Sequence, residues 1–151
     1  MRYVNGSPFF RELVRSAPVW DLPVSGLAAK VARDDVLGQL EAWFLPSLID
    51  DALLVASELV TNAVRAGGPV HLALRVVVID VRPALRIEVT DCGPGLPSSV
   101  VSGTLPGPDV CGGRGLPLVD MLADSWGSER RAGLNLVWAH LYIGDRAGVA
   151  V

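Results

Sequence analysis

The chain has 151 residues, of which 50% are hydrophobic and 19% charged, with a net charge of −3. That length suits one domain with a sizeable core. The composition excludes a disordered chain, and the charge gives no sign of a generic nucleic-acid binder. Apolar runs such as Val76 to Ile79 are too short for a transmembrane helix. The N-terminal MRYVNGSPFFRELVRS lacks the apolar core of a signal peptide. The expected location is the cytoplasm, with neither membrane nor nucleic acid as a direct partner. Cys92 and Cys111 are the only cysteines, at neither metal-ligand nor disulfide-framework spacing. They read as small fillers in glycine-rich stretches, the alternative being a redox-sensitive pair beside a ligand pocket.

In chain order, residues 1 to 24 are mixed, and Pro8, Pro18 and Pro23 break up any long element. Ala17 to Val24 can hold an edge strand, since edge strands tolerate Pro. Ser25 is a candidate N-cap for a helix over Gly26 to Phe44. Leu27, Val31, Val36, Leu37, Leu40 and Phe44 give that helix a broad apolar face. Lys30, Arg33, Asp34, Asp35 and Glu41 form its solvated side. Pro46 ends the helix, and Ser47 is a candidate cap for the next one.

That next helix spans Asp50 to Gly68, DDALLVASELVTNAVRAGG, with no internal Pro or Gly. Gly67-Gly68-Pro69 stops it. Glu58 and Asn62 are four apart and Arg65 follows three later, so they form one stripe beside Val55, Leu59 and Ala63. The stripe is either ordinary surface polarity or a functional wall.

Val70 to Val81 is rich in Val and Ile and reads as a strand. Arg82-Pro83-Ala84 is the expected turn into a second strand, Leu85 to Thr90. Leu85, Ile87 and Val89 take one face of that strand, and Arg86, Glu88 and Thr90 the other. Period two puts Asp91 on the apolar face, where a carboxylate is costly without a partner. Gly93-Pro94-Gly95 follows at once, so a turn-forming Asp-x-Gly is the competing reading.

Leu96 to Val110, rich in Pro, Gly and Ser, makes a loop long enough for a lid or binding loop. Gly112-Gly113-Arg114-Gly115 then opens a short apolar helix, Leu116 to Ala123, with Pro117 in its first turn. A glycine-rich approach to a helix start suits an anion, although glycines also serve plain turns. No Gly-Lys-Ser/Thr exists, which excludes a P-loop, and the preceding loop does not fit the dinucleotide fingerprint. Strands over Ser125 to Arg131 and Leu134 to Ile143 flank an Ala132-Gly133 turn. Leu134, Leu136, Trp138, His140 and Tyr142 share a face of the second. His71 and His140 read as structural, and no Ser-His-Asp arrangement is suggested. Residues 144 to 151 read as a frayed tail.

The order of these features resembles the ATPase domain shared by histidine kinases, type II topoisomerases, heat-shock chaperones and mismatch-repair proteins. ELVTNAV looks like that family's N box, DCGPG like its first glycine box and GGRGLPLV like its second. The resemblance covers roughly residues 25 to 143, after an N-terminal segment 1 to 24 and before a tail 144 to 151. It implies the Bergerat ATP-binding fold, an α+β two-layer sandwich whose mixed, mostly antiparallel sheet has its helices packed on one face. The wording SELVTNAV, GGRGLPLVD, SWG and VWAHL is similar to stand-alone anti-sigma factor serine/threonine kinases and the small actinobacterial proteins like them.

The resemblance implies ATP and Mg²⁺ as cofactors. Asn62 becomes the Mg²⁺ ligand, and Glu58 the group that orients or deprotonates the attacking hydroxyl. Arg65 faces phosphate charge. Asp91 accepts from the adenine amine, with Gly93 and Gly95 allowing close approach of the base. Gly113, Arg114, Gly115 and Leu116 line the phosphates as Leu96 to Cys111 closes over them. The chain departs from the family pattern in two places. Ala66 stands where many relatives have His. Leu134-Asn135-Leu136 stands where relatives usually carry a Thr near the adenine-binding Asp. That contact is either lost or replaced by Asn135, with Leu136 weakening adenine binding without abolishing it.

The expected activity is serine/threonine phosphorylation of an anti-anti-sigma partner by a protein that also holds a sigma factor inactive. The alternatives are a non-catalytic regulator that uses bound or vestigial nucleotide to shape a partner surface, and a plain ATP hydrolase. Relatives of this kind often dimerise.

Overall fold

The computed structural model describes residues 3–5, 12–93 and 116–144. Among them seven strands form one sheet: β1 (Tyr3–Asn5), β2 (Glu12–Ser16), β3 (Trp20–Leu22), β4 (Val70–Ile79), β5 (Arg82–Asp91), β6 (Ser125–Arg131) and β7 (Leu134–Tyr142). The spatial order is β1-β6-β7-β5-β4-β2, with β3 also on β4. Only β1 and β6 run parallel. The helices are α1 (Ala28–Ala42), α2 (Ile49–Ala66) and α3 (Leu116–Leu122). They pack on the sheet in one core with Leu72, Leu74, Leu85, Ile87, Val89, Ala139 and Leu141. The mostly antiparallel α+β sandwich expected from the sequence is therefore the fold. None of the helices among the described residues is long and apolar enough to cross a membrane.

α2 is the central helix. Ala52, Val55, Ala56, Leu59, Val60 and Ala63 are its buried residues, at the spacing that places them on one side of a 3.6-residue helix. The alanines let α2 approach its neighbours closely. Asp50 and Asp51 lie in its first turn and Arg65 in its last, each on the side that the helix dipole favours. Arg33 Nη1 on α1 donates to Ser57 Oγ on α2 at 3.0 Å, which ties the two helices together above the core.

Several local expectations change. Neither Ser25 nor Ser47 is the N-cap. The residue before α1 is Leu27, and Ser25 Oγ accepts from the Leu27 N–H at 3.2 Å. A 3₁₀ turn at Pro46–Leu48 runs straight into α2, with Leu48 at the cap position and no side-chain cap bond. The β4–β5 turn is Asp80-Val81, not Arg82-Pro83-Ala84, since Ile79 pairs with Arg82 and Val78 with Pro83. Asp80 supplies the left-handed residue, at φ 57°, a conformation that Asp tolerates better than most side chains. β1 and β2 arise in the stretch read as mixed. The Leu96 to Cys111 loop, the 112–115 glycine turn and the tail beyond Gly144 lie outside the described residues.

The face of the sheet turned away from the helices is also packed. Arg86 is 2% exposed, Glu88 7% and His140 0%. Glu88 Oε1 accepts from Arg75 Nη1 at 2.6 Å and from Arg86 Nε at 2.8 Å. Arg86 Nη1 lies 3.1 Å from His140 Nε2, and Ser125 Oγ lies 3.2 Å from His140 Nδ1. A guanidinium can only donate, so Nε2 is the acceptor and Nδ1 carries the imidazole proton. His140 is thus a satisfied structural histidine, and no nucleophile-base pair is built on it.

Burial, and then the Arg86 charge, lower the His140 pKa from 6.5 to about 3. The unfolded chain therefore takes up a proton at this residue that the folded protein refuses until far lower pH. Its contribution to stability is complete above pH 6.5 and is lost progressively as pH falls towards 3, by about 1.4 kcal/mol per pH unit. Urea unfolding at pH 7.0 and 5.5 should show a loss of about 1 kcal/mol in the wild type that is absent in His140→Gln. Equal pH dependence of the two proteins would refute the assignment.

Candidate functional site

Three strand positions and one helix face converge at the C-terminal end of α2. The helix stops because Gly67 (φ 88°) and Gly68 (φ 78°) take left-handed conformations that side chains resist. β4 starts immediately afterwards at Val70. The turn is pressed against the end of β5. A Cβ built on Gly68 would lie 2.6 Å from Cys92 Sγ, and one on Gly93 would lie 2.2 Å from the Ala66 Cβ.

The Ala66–Gly93 contact is decisive for the stripe on α2. Glu58, Asn62 and Ala66 are successive positions four apart, so they stack along one side of the helix. The last of them touches the residue two beyond Asp91. The helix stripe and the strand end are therefore walls of the same place. Glu58 and Asn62 are half-buried, and Arg65 is exposed at the margin. Ala66 ends the row with a methyl group that packs on Gly93, where a Cβ would not fit.

Asp91 is 6% exposed and belongs to the helix side of the sheet with Leu85, Ile87 and Val89, as the alternation predicts. Its carboxylate is also a turn former, because Oδ1 accepts from the Gly93 N–H at 2.7 Å. Asp91 is thus both inward-facing and turn-forming. The missing partner is Asn135, directly across the β5–β7 ladder, whose Nδ2 donates to Asp91 Oδ1 at 2.9 Å. Leu136 instead pairs with Thr90 and faces the other side of the sheet. The residue opposite Asp91 is consequently the polar Asn135.

Two atoms make the place suitable for a ligand. Both hydrogen bonds to the Asp91 carboxylate fall on Oδ1, and none among the described residues reaches Oδ2. Asn62 Nδ2 is buried without a hydrogen-bond partner, a state that costs about 1–3 kcal/mol if nothing fills the space beside it. An acceptor at one end and an unsatisfied amide donor one turn up the helix from Ala66 suit a nucleotide, the donor matching a phosphate oxygen. Asp91 and Gly93 would hold the base, and Asn62 and Glu58 would lie towards the phosphates.

The remaining expected site residues are less connected. Leu116 is 1% exposed and its side chain belongs to the hydrophobic core. Gly95, Gly113, Arg114 and Gly115 lie outside the described residues, as does Cys111. Cys92 is a free, exposed thiol.

Arg130 was not among the expected site residues. Its Nη1 donates to Asn135 Oδ1 and to the Gly93 carbonyl, each at 2.9 Å. The signal available for it was the Ala132-Gly133 turn, which sets Arg130 opposite Asn135.

The Gly93 contact can be tested by a cycle. Gly93→Ala should destabilise the protein by about 1–3 kcal/mol, as overpacked sites do. Ala66→Gly should recover part of that loss, although alone it costs up to about 1 kcal/mol at a helix end. Denaturant midpoints of the two single variants and the double variant measure the coupling. Strict additivity would mean that the two residues do not clash.

No curated protein is similar enough to the chain to match. A family model for the histidine kinase-like ATPase domain matches residues 28–141, a span that runs from the first residue of α1 almost to the end of β7 and includes every site element above. The chain belongs to the histidine kinase-like ATPase domain family, and a domain of this kind implies nucleotide binding.

Proposed function

We propose that the protein is an ATP-dependent regulator. It transfers the γ-phosphoryl group of ATP to a serine or threonine of an anti-anti-sigma partner, and it holds a sigma factor inactive. The observation that carries this reading is the continuity of Glu58, Asn62 and Ala66 into Gly93 and Asp91. That continuity supports reading Glu58 as the acid-base group, Asn62 as the cation ligand and Asp91 as the carboxylate that recognises the base.

The roles follow from the chemistry of each group. Asp91 Oδ2 accepts a hydrogen from the exocyclic amine of adenine. Gly93, which can carry no side chain beside Ala66, keeps the approach to that carboxylate open. Asn62 offers one oxygen to Mg²⁺, which binds through few protein ligands and keeps the phosphates and water for the rest. Arg65 and Arg114 offset phosphate charge, and Gly113 and Gly115 leave backbone N–H groups for it. Glu58, one turn before Asn62, accepts the proton of the attacking hydroxyl. Bound Mg-ATP supplies the phosphoryl group, with the bond from the hydroxyl oxygen forming as the bond to ADP breaks.

One observation favours a second reading, a non-catalytic regulator that binds nucleotide only to shape a partner surface. Ala66 removes a polar side chain from the stripe where relatives have His.

Calorimetry of Mg-ATP binding tests the pocket. The wild type should bind, and Asp91→Asn should bind at least about tenfold more weakly, the loss of roughly one hydrogen bond to a charged group. No binding by the wild type would defeat both readings. Transfer of γ-phosphate label to a co-encoded anti-anti-sigma protein then separates them. Glu58→Ala should slow transfer by about 10²-fold or more while binding ATP normally. Binding without any transfer by the wild type would select the non-catalytic reading.

A further inference from the structure

We propose that Arg130 and Asn135 are positioning residues that preset the Asp91 carboxylate to select purines with an exocyclic amine. The inference rests on the nucleotide reading of the site and assigns base selectivity to side chains outside the glycine boxes.

Three adjacent strands place the groups in a row. Asp91 on β5 is paired with Asn135 on β7, and Asn135 is paired with Arg130 on β6. Cross-strand partners share a face, so all three side chains meet on the helix side. Arg130 is a donor only, so its bond to Asn135 fixes which end of that amide is oxygen. The amide nitrogen must then point at Asp91. The same nitrogen also donates to the Gly93 carbonyl in a short contact, and Arg130 holds that carbonyl from its other side. Together with the Gly93 N–H, these bonds place two donors on Oδ1 and, among the described residues, leave Oδ2 as the acceptor for a base.

Without Arg130 the amide nitrogen still has two acceptors, Asp91 Oδ1 and the Gly93 carbonyl, but the amide oxygen loses its anchor and the Gly93 carbonyl loses a donor. The amide is then free to swing between its two acceptors, and its hold on Asp91 Oδ1 loosens. The carboxylate would rotate, and its second oxygen would no longer be fixed for an incoming N–H. Preorganised acceptors discriminate through their fixed position, so the expected loss is in selectivity between bases more than in attachment of the phosphates. A purely structural role would weaken all nucleotides alike.

The experiment measures Kd for ADP and for purine riboside 5′-diphosphate, which lacks the 6-amino group, in the presence of Mg²⁺. The proteins are the wild type, Arg130→Met, Arg130→Lys and Asn135→Leu, each checked for folding by thermal melting. The wild type should prefer ADP by about tenfold or more. The preference should shrink to about threefold or less in Arg130→Met and Asn135→Leu and persist in Arg130→Lys, which keeps a donor for the Asn135 oxygen. Arg130 is exposed, so its variants remain informative if Asn135→Leu fails to fold. An undiminished preference in Arg130→Met overturns the clamp while leaving the nucleotide site standing. Failure of the wild type to bind either nucleotide overturns the site and the clamp together.

Discussion

The structure depends on a contact with no room in it. At the C-terminus of α2 the Ala66 methyl group sits where a side chain on Gly93 would have to go. Because the helix is rigid and Ala66 continues the Glu58–Asn62 row, that single contact fixes where the row ends relative to the strand carrying Asp91. It also explains why the chain turns through two left-handed glycines. A side chain at 68 would be strained at φ 78° and would have to displace the exposed Cys92 thiol. The site is therefore located by packing of small residues, and its polar groups are carried into place by backbone elements that have other reasons to form.

Those elements were readable where local chemistry repeats. The α2 stripe, the β4–β5 hairpin and the Ala132-Gly133 turn follow from period, composition and turn residues over short spans. The misplacement of the β4–β5 turn has a specific cause. Arg82-Pro83 resembles a turn, but Pro83 sits beside the hairpin end, beyond the β7 pairing that begins at Ala84. Its carbonyl still accepts from the Ile143 N–H at 2.9 Å, and a strand end tolerates the missing donor. Asp80-Val81 lacks the Asn-Gly or Asp-Gly signature of a tight hairpin. β1 and β2 escaped because they are short and pair with strands distant in the chain, where no local pattern reports the partner.

The same division runs through the site. The Ala132-Gly133 turn counts back to Arg130 opposite Asn135, so half of the clamp could be read from the sequence. The pairing of Asp91 with Asn135 could not, because β5 and β7 are not consecutive and their register is set by packing across the whole sheet. Sequence resemblance pointed at a missing Thr near Asp91. Register shows that Leu136 belongs to the opposite face and that Asn135, one residue earlier, is the side chain opposite Asp91, since one residue along a strand reverses the face.

Two buried carboxylates on β5 show why one of them is available to a ligand. Glu88 and Asp91 are three residues apart, so they lie on opposite faces, at 7% and 6% exposure. Glu88 meets two guanidinium groups directly. Its charge is matched in place, and the pair with Arg75 ties β5 to β4. Among the described residues, Asp91 meets an amide and a backbone N–H, both on one oxygen. The nearest guanidinium engages that amide, not the carboxylate. A direct Arg–Asp pair would be stronger, but it would close the acceptor. Interposing Asn135 keeps a positive charge close enough to orient the carboxylate and far enough to leave its second oxygen open. The buried charge is supported, as burial demands, and remains able to accept one more hydrogen bond from whatever enters the pocket.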